Sequence, residues 1–598
     1  MSVNERISMM RKLMREHGLS AYIVRGTDPH ASEYMADHWK EITWISGFKG
    51  ETGTVLITLD ESFLWTDSRY YLQADKELAS SEVQLMKESE IDTPTIAQWL
   101  CQKYAGKKAK VGVNAEMLTV RAYEELSNEL QGGGLKLVSI DLVKPLWTDS
   151  RPPIPQEQLY AYSTRQKLQA VRQAMAEKGA TVFITSALDE IAWLLNIRGN
   201  DVAFNPVVIS YVVVEKNSCT LFVSPDKLNQ QSISYLIKEN VALQDYDNIV
   251  NRLKMLEPDN TVLFDGTRLN RALYEALPAA CRKIDAQSPV LLLKSMKNEV
   301  EMEGERIAMR QDAVALTRFF KWLEQEAFAE GKELTEYDLM RRLHEFRAMG
   351  NNFVEESFET IAGYEGNGAI VHYEATKEDC ARVYPTGMLL LDSGGQYLDG
   401  TTDITRTVWL GAVPQEGDDK YNEFKQAQHD YTLVLKGHIA LACAKFPKGT
   451  RGNQLDALAK QYMWQDGITF GHGTGHGVGH FLGCHEGPQN IRTDLNPAPL
   501  RLGNICSDEP GIYRTNEHGI RIENLIAVIE APDNGFGEFY QFETLTLCYY
   551  DTSLIDMSML TPQERNWINT YHKMVETAVC PLLNAEEAAW LENKCKAI

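Results

Sequence analysis

The chain has 598 residues, of which 44% are hydrophobic and 24% are charged, the composition of a globular protein with several domains. Its formal net charge is −23, whereas nucleic-acid binders usually present a basic face, so we expect no nucleic-acid partner. There is no run of about 18 apolar residues, and the first residues contain no apolar signal segment. We therefore expect no membrane association and a cytoplasmic protein.

The first predicted elements form an internal repeat, because residues 6–24 and 167–185 share a helical apolar spacing followed by a glycine and a β-branched run. The matched positions are Ile7, Met10, Met14 and Gly18 in the first copy and Leu168, Val171, Met175 and Gly179 in the second. Each copy predicts a helix that ends at the glycine and leads into a strand. Two related α/β domains in tandem explain this pattern, and chance similarity of two amphipathic helices is the alternative.

Two transitions in composition divide the chain further. The proline-rich segment 147–155 cannot continue a helix or a central strand. The apolar segment 290–295 has the character of a strand and gives way to a long polar helix. We therefore predict domains at 1–152, 153–297 and 298–598, with a helical tail after Tyr550.

The third predicted domain contains carboxylates in apolar surroundings. Asp392 ends a buried strand, and Asp403 shares one strand face with Thr405 and Thr407. Glu509 precedes a proline turn. Arg521 and Glu523 alternate with Ile520 and Ile522, which predicts that the two polar side chains share one face of a strand, and His472 and His476 lie in a run of alternating glycines.

Four buried carboxylates have to be protonated, paired or bound to metal, because burying an isolated charge is costly. Together with one imidazole they form a hard, oxygen-rich ligand set that suits Mn²⁺ and tolerates Co²⁺ or Zn²⁺. Two divalent ions balance four negative charges. Salt-bridged or solvated carboxylates are the alternative for any single segment. A phosphate-binding loop and an HExxH zinc site are not supported.

These segments resemble the M24 metallopeptidases with the pita-bread fold, and among them the long, three-domain Xaa-Pro aminopeptidases (aminopeptidase P). The separations of 11 residues between Asp392 and Asp403, and of 14 between Glu509 and Glu523, match the family pattern. Segments 28–50, 64–74 and 188–207 are similar to the family's N-terminal domains. The resemblance implies two tandem creatinase-like α/β domains followed by a pita-bread catalytic domain, an α/β (α+β) architecture.

The resemblance also implies roles for particular residues. The metal ligands are expected to be Asp392, Asp403, His476, Glu509 and Glu523, with Asp403 and Glu523 bridging two divalent ions, most simply Mn²⁺. The residues expected around the substrate are His372, His472, His485 and Arg521. For Arg521, a plain structural salt bridge stays open as the alternative.

The family chemistry implies that a hydroxide shared by the two ions attacks the first peptide bond of substrates with proline in second position. Glu509 is the expected proton shuttle, and His485 and His372 are expected to stabilise the substrate oxygens. His472 is a candidate for the proline pocket. The resemblance also implies a homodimer. The alternatives are a prolidase, which cleaves Xaa-Pro dipeptides, and a non-catalytic peptide- or histone-binding protein built on the same fold.

Overall fold

A computed structural model describes residues 1–148, 150–154, 160–161, 165–328, 333–533 and 535–598. The chain divides into two compact units, Met1–Leu293 and Lys294–Ile598. Part of the proline-rich segment 147–155 lies outside the described residues. The two predicted boundaries between the three domains stay predictions. Among the described residues, every helix is too short or too polar to cross a bilayer.

The first half of the unit Met1–Leu293 alternates helices and strands. The helices are α1 (Val3–Glu16), α2 (Glu41–Ser46), α3 (Tyr71–Leu78), α4 (Ile96–Lys103) and α5 (Val120–Gly132). The strands are β1 (Ala21–Arg25), β2 (Thr54–Thr58), β3 (Ser62–Thr66), β4 (Val83–Lys87), β5 (Lys110–Val113) and β6 (Lys136–Ser139).

The second half repeats the alternation. The strands are β7 (Tyr160–Ala161), β8 (Val182–Thr185), β9 (Ile197–Arg198), β10 (Ser210–Glu215), β11 (Cys219–Val223), β12 (Val241–Gln244), β13 (Thr261–Phe264) and β14 (Arg282–Asp285). The helices are α6 (Arg165–Glu177), α7 (Leu188–Leu195), α8 (Gln230–Lys238), α9 (Ile249–Lys254), α10 (Arg271–Ala276) and α11 (Pro289–Ser295).

The two halves have the same sheet topology. The first sheet has the strand order β4-β3-β2-β1-β5-β6 and the second has the order β12-β11-β10-β8-β13-β14. Each successive pair of neighbours also has the same direction in the two sheets: parallel, antiparallel, antiparallel, parallel and parallel. The predicted relation between two tandem α/β domains is therefore confirmed.

The repeated helix-then-strand opening follows from local chemistry. Ser2 and Glu5 form a capping box at the start of α1, and the apolar side chains of Ile7, Met10 and Met14 are buried on one face. Gly18 follows α1 with a φ of 64°, and the corresponding glycine after α6 has a φ of 69°. Left-handed backbone at this position favours glycine, as the repeat predicted.

The prediction of a strand at 290–295 is wrong, because these residues form the helix α11. A short apolar run bounded by turns fits a buried strand or a buried helix equally well. Here Pro289 occupies the first helical position, where its missing N–H costs nothing. The Ser288 hydroxyl accepts a hydrogen bond from the Val290 N–H at 3.2 Å. The local chemistry of the helix start decides between the two structures.

The unit Lys294–Ile598 carries the long helix predicted after residue 298. Its helices are α12 (Glu299–Gln325), α13 (Glu336–Ala348), α14 (Tyr421–Ala442), α15 (Gly452–Gln465), α16 (Pro562–Val579) and α17 (Ala585–Lys594). The helical tail is confirmed by α16 and α17.

The strands of this unit fall into several antiparallel groups. They are β15 (Leu334–Thr335), β16 (Phe353–Glu356), β17 (Ile361–Tyr364), β18 (Arg382–Val383), β19 (Gly387–Ser393), β20 (Gly395–Tyr397), β21 (Gly400–Thr401), β22 (Ile404–Leu410), β23 (Lys445–Pro447), β24 (Gly475–Gly477), β25 (Glu486–Ile491), β26 (Ile505–Asp508), β27 (Gly511–Arg514), β28 (His518–Arg521), β29 (Asn524–Glu530) and β30 (Phe539–Thr544).

Two of these sheets position the predicted metal ligands. A three-stranded sheet has the order β17-β19-β22, and a six-stranded sheet has the order β23-β30-β29-β26-β24-β25. Residues of α12, α13, α14, α16 and α17 bury their apolar faces in a core with residues of β19 and β22. Packed helices thus support β19 and β22, the strands that lead to Asp392 and from Asp403.

Candidate metal centre

Asp392 lies in β19 and Asp403 lies just before the neighbouring strand β22 of the three-stranded sheet. Asp392 lies near the end of β19, as predicted, and pairs in register with Thr405 of β22. Asp403 lies one residue before β22 begins, which corrects the expectation that it belongs to that strand. Both residues are buried, and their side chains are 12% and 4% exposed.

Glu509 and Glu523 flank the ends of two paired strands in the six-stranded sheet. Glu509 follows β26 directly and Glu523 precedes β29 directly, and these strands pair Asp508 with Asn524. The expectation that Arg521 and Glu523 lie on one strand is wrong, because β28 ends at Arg521. The side chains of Arg521 and Glu523 nevertheless contact the same hydroxyl group. Thr405 Oγ1 accepts from Arg521 Nε at 3.1 Å and donates to Glu523 Oε2 at 2.7 Å.

His476 occupies the middle of the three-residue strand β24. Its Nδ1 lies 2.9 Å from the Gly477 carbonyl oxygen and donates to it, so Nε2 is the nitrogen that faces the carboxylates. Nε2 lies 3.4 Å from Asp403 Oδ2 and 3.6 Å from Glu509 Oε1. The flanking glycines allow this approach, because a Cβ at Gly475 would lie 2.0 Å from the Ser507 carbonyl oxygen.

The side chains of Asp403, His476 and Glu523 converge. Each offers one ligand atom, and these three atoms lie within 4.8 Å of one another. Asp403, His476 and Glu523 therefore lie together although they are up to 120 positions apart in the sequence. Glu509 joins them through the 3.6 Å approach of its Oε1 to His476 Nε2.

The electrostatics of this cluster favour a bound cation. Burial raises the pKa of Glu523 well above its usual range, and the negative charges of Asp403, Glu509 and Asp392 raise it further. Burial also raises the pKa of Glu509. Asp392 Oδ1 is buried without a hydrogen-bond partner in the structure. Divalent cations fit this donor set, because they relieve the mutual repulsion and give the orphaned oxygen a partner.

Arg521 lies against this cluster. Its Nη2 donates to Asp392 Oδ2 at 2.5 Å and its Nη1 donates to Tyr513 Oη at 2.8 Å. The same hydroxyl lies 2.7 Å from His472 Nε2, which links His472 to the arginine. A structural contact with Asp392 is thus present, and the predicted contact of Arg521 with substrate stays a prediction.

The other predicted histidines lie in two places. The ring of His485 is 4.2 Å from the ring of His476, which puts His485 beside the ligands. His372 is half-buried in the segment that follows a short 3₁₀ helix at Glu365–Ala369. The catalytic roles expected for both stay predictions.

Comparison with known proteins places the chain in a family. Residues 303–530 match the family model for metallopeptidase family M24 and residues 538–598 match the C-terminal region of peptidase M24. Residues 6–144 and 150–301 each match a creatinase/prolidase N-terminal domain. The chain is 37% identical to Xaa-Pro aminopeptidase 1 of Dictyostelium discoideum over 100% of its own length and 97% of that protein. The chain belongs to the Xaa-Pro aminopeptidases of family M24.

Other relatives of this M24 peptidase support the same family assignment. Aminopeptidase P2 of Arabidopsis thaliana is 37% identical over 100% of this chain and 89% of the relative. The crystal structure of an X-prolyl aminopeptidase from Caenorhabditis elegans, described as a cytosolic enzyme with a di-nuclear active site, has a TM-score of 0.94, 34% identity and full coverage of both chains. An Xaa-Pro dipeptidase from Bacillus anthracis, with a TM-score of 0.52, 21% identity and coverage of 64% of this chain and 98% of its own, shows the fold alone. The predicted fold class, family and enzyme class are confirmed.

Two neighbours of the predicted ligands in this M24 site were missed in the sequence. The Cys484 thiol donates to Asp403 Oδ2 at 3.2 Å, and Cys484, His485 and Asp403 also bring their ligand atoms within 4.8 Å of one another. Tyr513 joins Arg521 to His472. Cys484 directly precedes His485, and Tyr513 lies in the same segment as Glu509. This closeness in the sequence to predicted site residues was the only local feature that could have indicated either residue.

Proposed function

We propose that this M24 peptidase removes the N-terminal residue from peptides with proline in second position, using two divalent metal ions held by five side chains. The proposed ligands are Asp392, Asp403, His476, Glu509 and Glu523. The observation that carries the proposal is the convergence of ligand atoms of Asp403, His476 and Glu523 within 4.8 Å. In addition, the buried Asp392 Oδ1 accepts no hydrogen bond from the part of the chain that the structure describes. The di-nuclear site of the Caenorhabditis elegans relative supports it.

The ligand chemistry favours Mn²⁺, with Co²⁺ and Zn²⁺ as ions that the same donors accept. Four carboxylates and one imidazole are hard ligands, and two divalent ions balance their charge. When bound, such a pair of ions supplies a water of lowered pKa and a Lewis acid for the scissile carbonyl. Asp403 Oδ2 lies 3.4 Å from His476 Nε2 and accepts from the Cys484 thiol at 3.2 Å. We propose that Asp403 and Glu523 each bind both ions, as the family resemblance implies.

Glu509 is the proposed proton carrier. It is the most accessible of the four carboxylates, with a side chain that is 18% exposed, and Ser507 Oγ donates to its Oε1 at 3.2 Å. That hydrogen bond orients the carboxylate and leaves Oε2 available to accept a proton and pass it to the departing proline nitrogen. Burial raises the pKa of Glu509, which suits a group that has to hold a proton transiently.

The proposed substrate contacts come from histidines. His485, whose ring lies 4.2 Å from that of His476, is proposed to donate to the oxygen on which charge develops, and His372 is proposed to hold the carbonyl beyond proline. The ring of His472 lies 4.7 Å from the ring of Phe470, tilted by 34°, and His472 Nε2 is hydrogen-bonded to the Tyr513 hydroxyl. An imidazole fixed against an aromatic ring provides an apolar surface for the proline ring.

Selectivity for proline follows from what its amide lacks. The proline nitrogen carries no N–H, so a site that requires that donor rejects these substrates, and recognition has to rest on the shape of the ring. We propose that the surface formed by His472 and Phe470 reads this shape.

We also propose a cytoplasmic homodimer that acts on peptides and binds neither nucleic acid nor membrane. The Caenorhabditis elegans relative is described as a cytosolic enzyme, which supports the location. The net charge of −23 supports the absence of a nucleic-acid partner. The homodimer rests on the family resemblance.

The experiment compares three substrates with the metal-depleted chain, before and after addition of Mn²⁺, Co²⁺ or Zn²⁺. The substrates are an Xaa-Pro-Xaa tripeptide, the same tripeptide with alanine in place of proline, and the Xaa-Pro dipeptide. We expect metal-dependent release of the first residue from the proline tripeptide only. Hydrolysis of the dipeptide alone would identify a prolidase. A chain that binds no metal after incubation with Mn²⁺ would instead support the non-catalytic alternative.

A further inference from the structure

A buried polar network lies on the reverse side of the two glutamate ligands. Asp508 precedes Glu509 and Asn524 follows Glu523, and Asp508 and Asn524 pair in register between β26 and β29. Neighbouring side chains in extended chain point to opposite faces. The two glutamates therefore reach the proposed metal centre while Asp508 and Asn524 point away from it.

His438 of α14 connects these two positions. Its Nδ1 lies 3.1 Å from the Asp508 carbonyl oxygen and 3.2 Å from Asp508 Oδ2. Its Nε2 lies 3.0 Å from Tyr550 Oη and 3.1 Å from Asn524 Nδ2. The network closes because Asn524 Nδ2 also donates to Tyr550 Oη at 2.8 Å.

The hydrogen-bond partners determine the tautomer of His438. The Asp508 atoms near Nδ1 are a carbonyl oxygen and a carboxylate oxygen, both acceptors, so Nδ1 carries the hydrogen. Nε2 is then the acceptor, and the Asn524 amide and the Tyr550 hydroxyl share its single lone pair. One imidazole thus donates to the strand that carries Glu509 and accepts from the strand that carries Glu523.

All four side chains are buried. His438, Asp508, Asn524 and Tyr550 are each 0% exposed, so each hydrogen bond forms away from bulk water. Arg406 extends the network, because it donates to the Glu523 carbonyl oxygen at 2.6 Å and to Asn524 Oδ1 at 2.9 Å. The carboxylate oxygens of Asp508 accept no hydrogen bond from the described residues, whereas the Asp508 carbonyl oxygen, His438, Asn524 and Tyr550 are paired. Displacing these paired groups would leave more buried polar atoms without partners, which favours a single arrangement.

We propose that His438, acting with Tyr550, is a positioning residue that sets the separation of Glu509 and Glu523 and so the geometry in which they bind metal. This inference rests on the proposed metal centre. Metal sites need ligands held within about 0.5 Å of the productive arrangement. Glu509 and Glu523 lie just beyond strand ends, where strand pairing restricts the backbone less. The hydrogen bonds of His438 to Asp508 and Asn524 restrict the backbone there, on the side opposite the proposed metal centre.

The test measures metal binding by the full chain. The variants are His438→Phe, which keeps a ring and removes both polar nitrogens, and Tyr550→Phe, which removes one hydroxyl. The control is Leu435→Ala, because Leu435 is fully buried on the same helix α14 and makes an apolar contact only. Each metal-depleted protein is loaded with Co²⁺, and its affinity is measured by competition with a chelating dye. The visible d–d absorption spectrum reports the coordination geometry, and thermal unfolding reports stability.

We expect His438→Phe to weaken Co²⁺ binding by about tenfold or more and to alter the absorption spectrum, as loss of an outer hydrogen-bond partner does at other metal sites. Tyr550→Phe should produce a smaller change in the same direction. Leu435→Ala should lower the unfolding temperature while its affinity and spectrum stay those of the wild type.

Several results would overturn the inference. They are wild-type affinity and spectrum in both polar variants, or an equal loss of affinity in Leu435→Ala. If His438→Phe does not fold, Tyr550→Phe decides alone. Wild-type protein that binds neither Co²⁺ nor Mn²⁺ would overturn the proposed function, and the positioning role with it, whereas normal metal binding with unaltered variants would overturn only the positioning role.

Discussion

Arg521 donates a hydrogen bond to Asp392 at 2.5 Å, and both side chains are buried. The same guanidinium also donates to Tyr513 and to Thr405. A planar guanidinium has five donors in a fixed fork, whereas an ammonium is a compact point charge. Arg521 therefore fixes the rotation of the Asp392 carboxylate and keeps one of its oxygens turned toward the other proposed ligands.

We expect Arg521→Lys to lower kcat/KM by about tenfold or more, because lysine keeps the charge and loses the fork. Arg521→Met should also destabilise the metal-free protein by about 3–5 kcal/mol, since it leaves Asp392 buried without its cation. Steady-state kinetics with the proline tripeptide and denaturant unfolding measure the two effects. Wild-type kinetics in Arg521→Lys would contradict the geometric role.

Glu509 and His485 are predicted to act in different steps. Glu509→Gln removes the proton carrier, and we expect kcat to fall by about 10²–10⁴-fold. His485→Ala removes a donor to the developing oxygen charge, and we expect a loss of about 10²–10³-fold. The control is His429→Ala, because His429 is an exposed residue of α14. Folding and metal content are checked first, and near-normal turnover in both variants would defeat these role assignments.

The convergence of Asp403, His476 and Glu523 could be anticipated because its signals are local. Each predicted ligand lies in a short segment in which a carboxylate or imidazole interrupts apolar or glycine-rich chain, and the spacing within each pair matches a family pattern. The tandem domains could be predicted for a similar reason, since an apolar spacing and a terminal glycine repeat together.

The groups that orient the ligands could not be predicted in this way. Cys484 contacts Asp403 across 81 positions of sequence, and His438 contacts Asp508 across 70. Strand and helix packing brings such pairs into contact, and no local sequence pattern predicts these contacts. The error at 290–295 has another origin, because a short apolar run carries too little periodicity to separate helix from strand.

Cys484 is predicted to tune the proposed bridging ligand. Burial, together with the nearby carboxylate of Asp403, raises the pKa of its thiol well above the usual value, so the thiol stays neutral and donates to Asp403. Because S–H is a weak donor, we expect Cys484→Ala to weaken Mn²⁺ binding by about tenfold, the lower end of the range for outer partners.

The matched control for Cys484 is Cys219→Ala, which removes a buried thiol from β11 in the other unit. Competition with a chelating dye measures the affinity of both variants for Mn²⁺. Equal affinities for wild type, Cys484→Ala and the control would show that the thiol contributes only packing.

Glu336 is predicted to support the segment that carries His372. At the start of α13 its buried carboxylate accepts from the backbone N–H of Tyr364 at 2.7 Å, the Tyr373 hydroxyl at 2.6 Å and the backbone N–H of Ala381 at 2.6 Å. A glutamine would put an N–H where only acceptors fit. We therefore expect Glu336→Gln to cost about 1–3 kcal/mol of stability.

We also expect Glu336→Gln to lower kcat/KM for the proline tripeptide without changing the metal content, because the His372 segment loosens while the ligands stay in place. Glu333→Gln is the control, since Glu333 lies three residues before Glu336, is exposed and forms an ion pair with Arg382. Loss of metal in Glu336→Gln, or an equal kinetic change in Glu333→Gln, would contradict this prediction.

His572 is predicted to make stability depend on pH. Burial, with the Arg406 charge as a second cause, lowers the pKa of His572 to about 4, and its Nε2 accepts the Tyr550 backbone N–H at 3.1 Å. In the unfolded chain the pKa of a histidine is about 6.5. Below that pH the unfolded chain binds a proton that the folded chain does not bind, so folding is disfavoured.

The contribution of His572 is therefore fully present above about pH 6.5 and is lost as the pH falls toward about 4, a total of about 3 kcal/mol. His572→Gln keeps an acceptor near the Tyr550 N–H and does not titrate. Between pH 7 and pH 5 we expect the free energy of unfolding of the wild type to fall by about 2 kcal/mol more than that of the variant. Denaturant unfolding of both proteins at the two pH values measures this difference, and parallel pH profiles would show that His572 titrates normally in the folded protein.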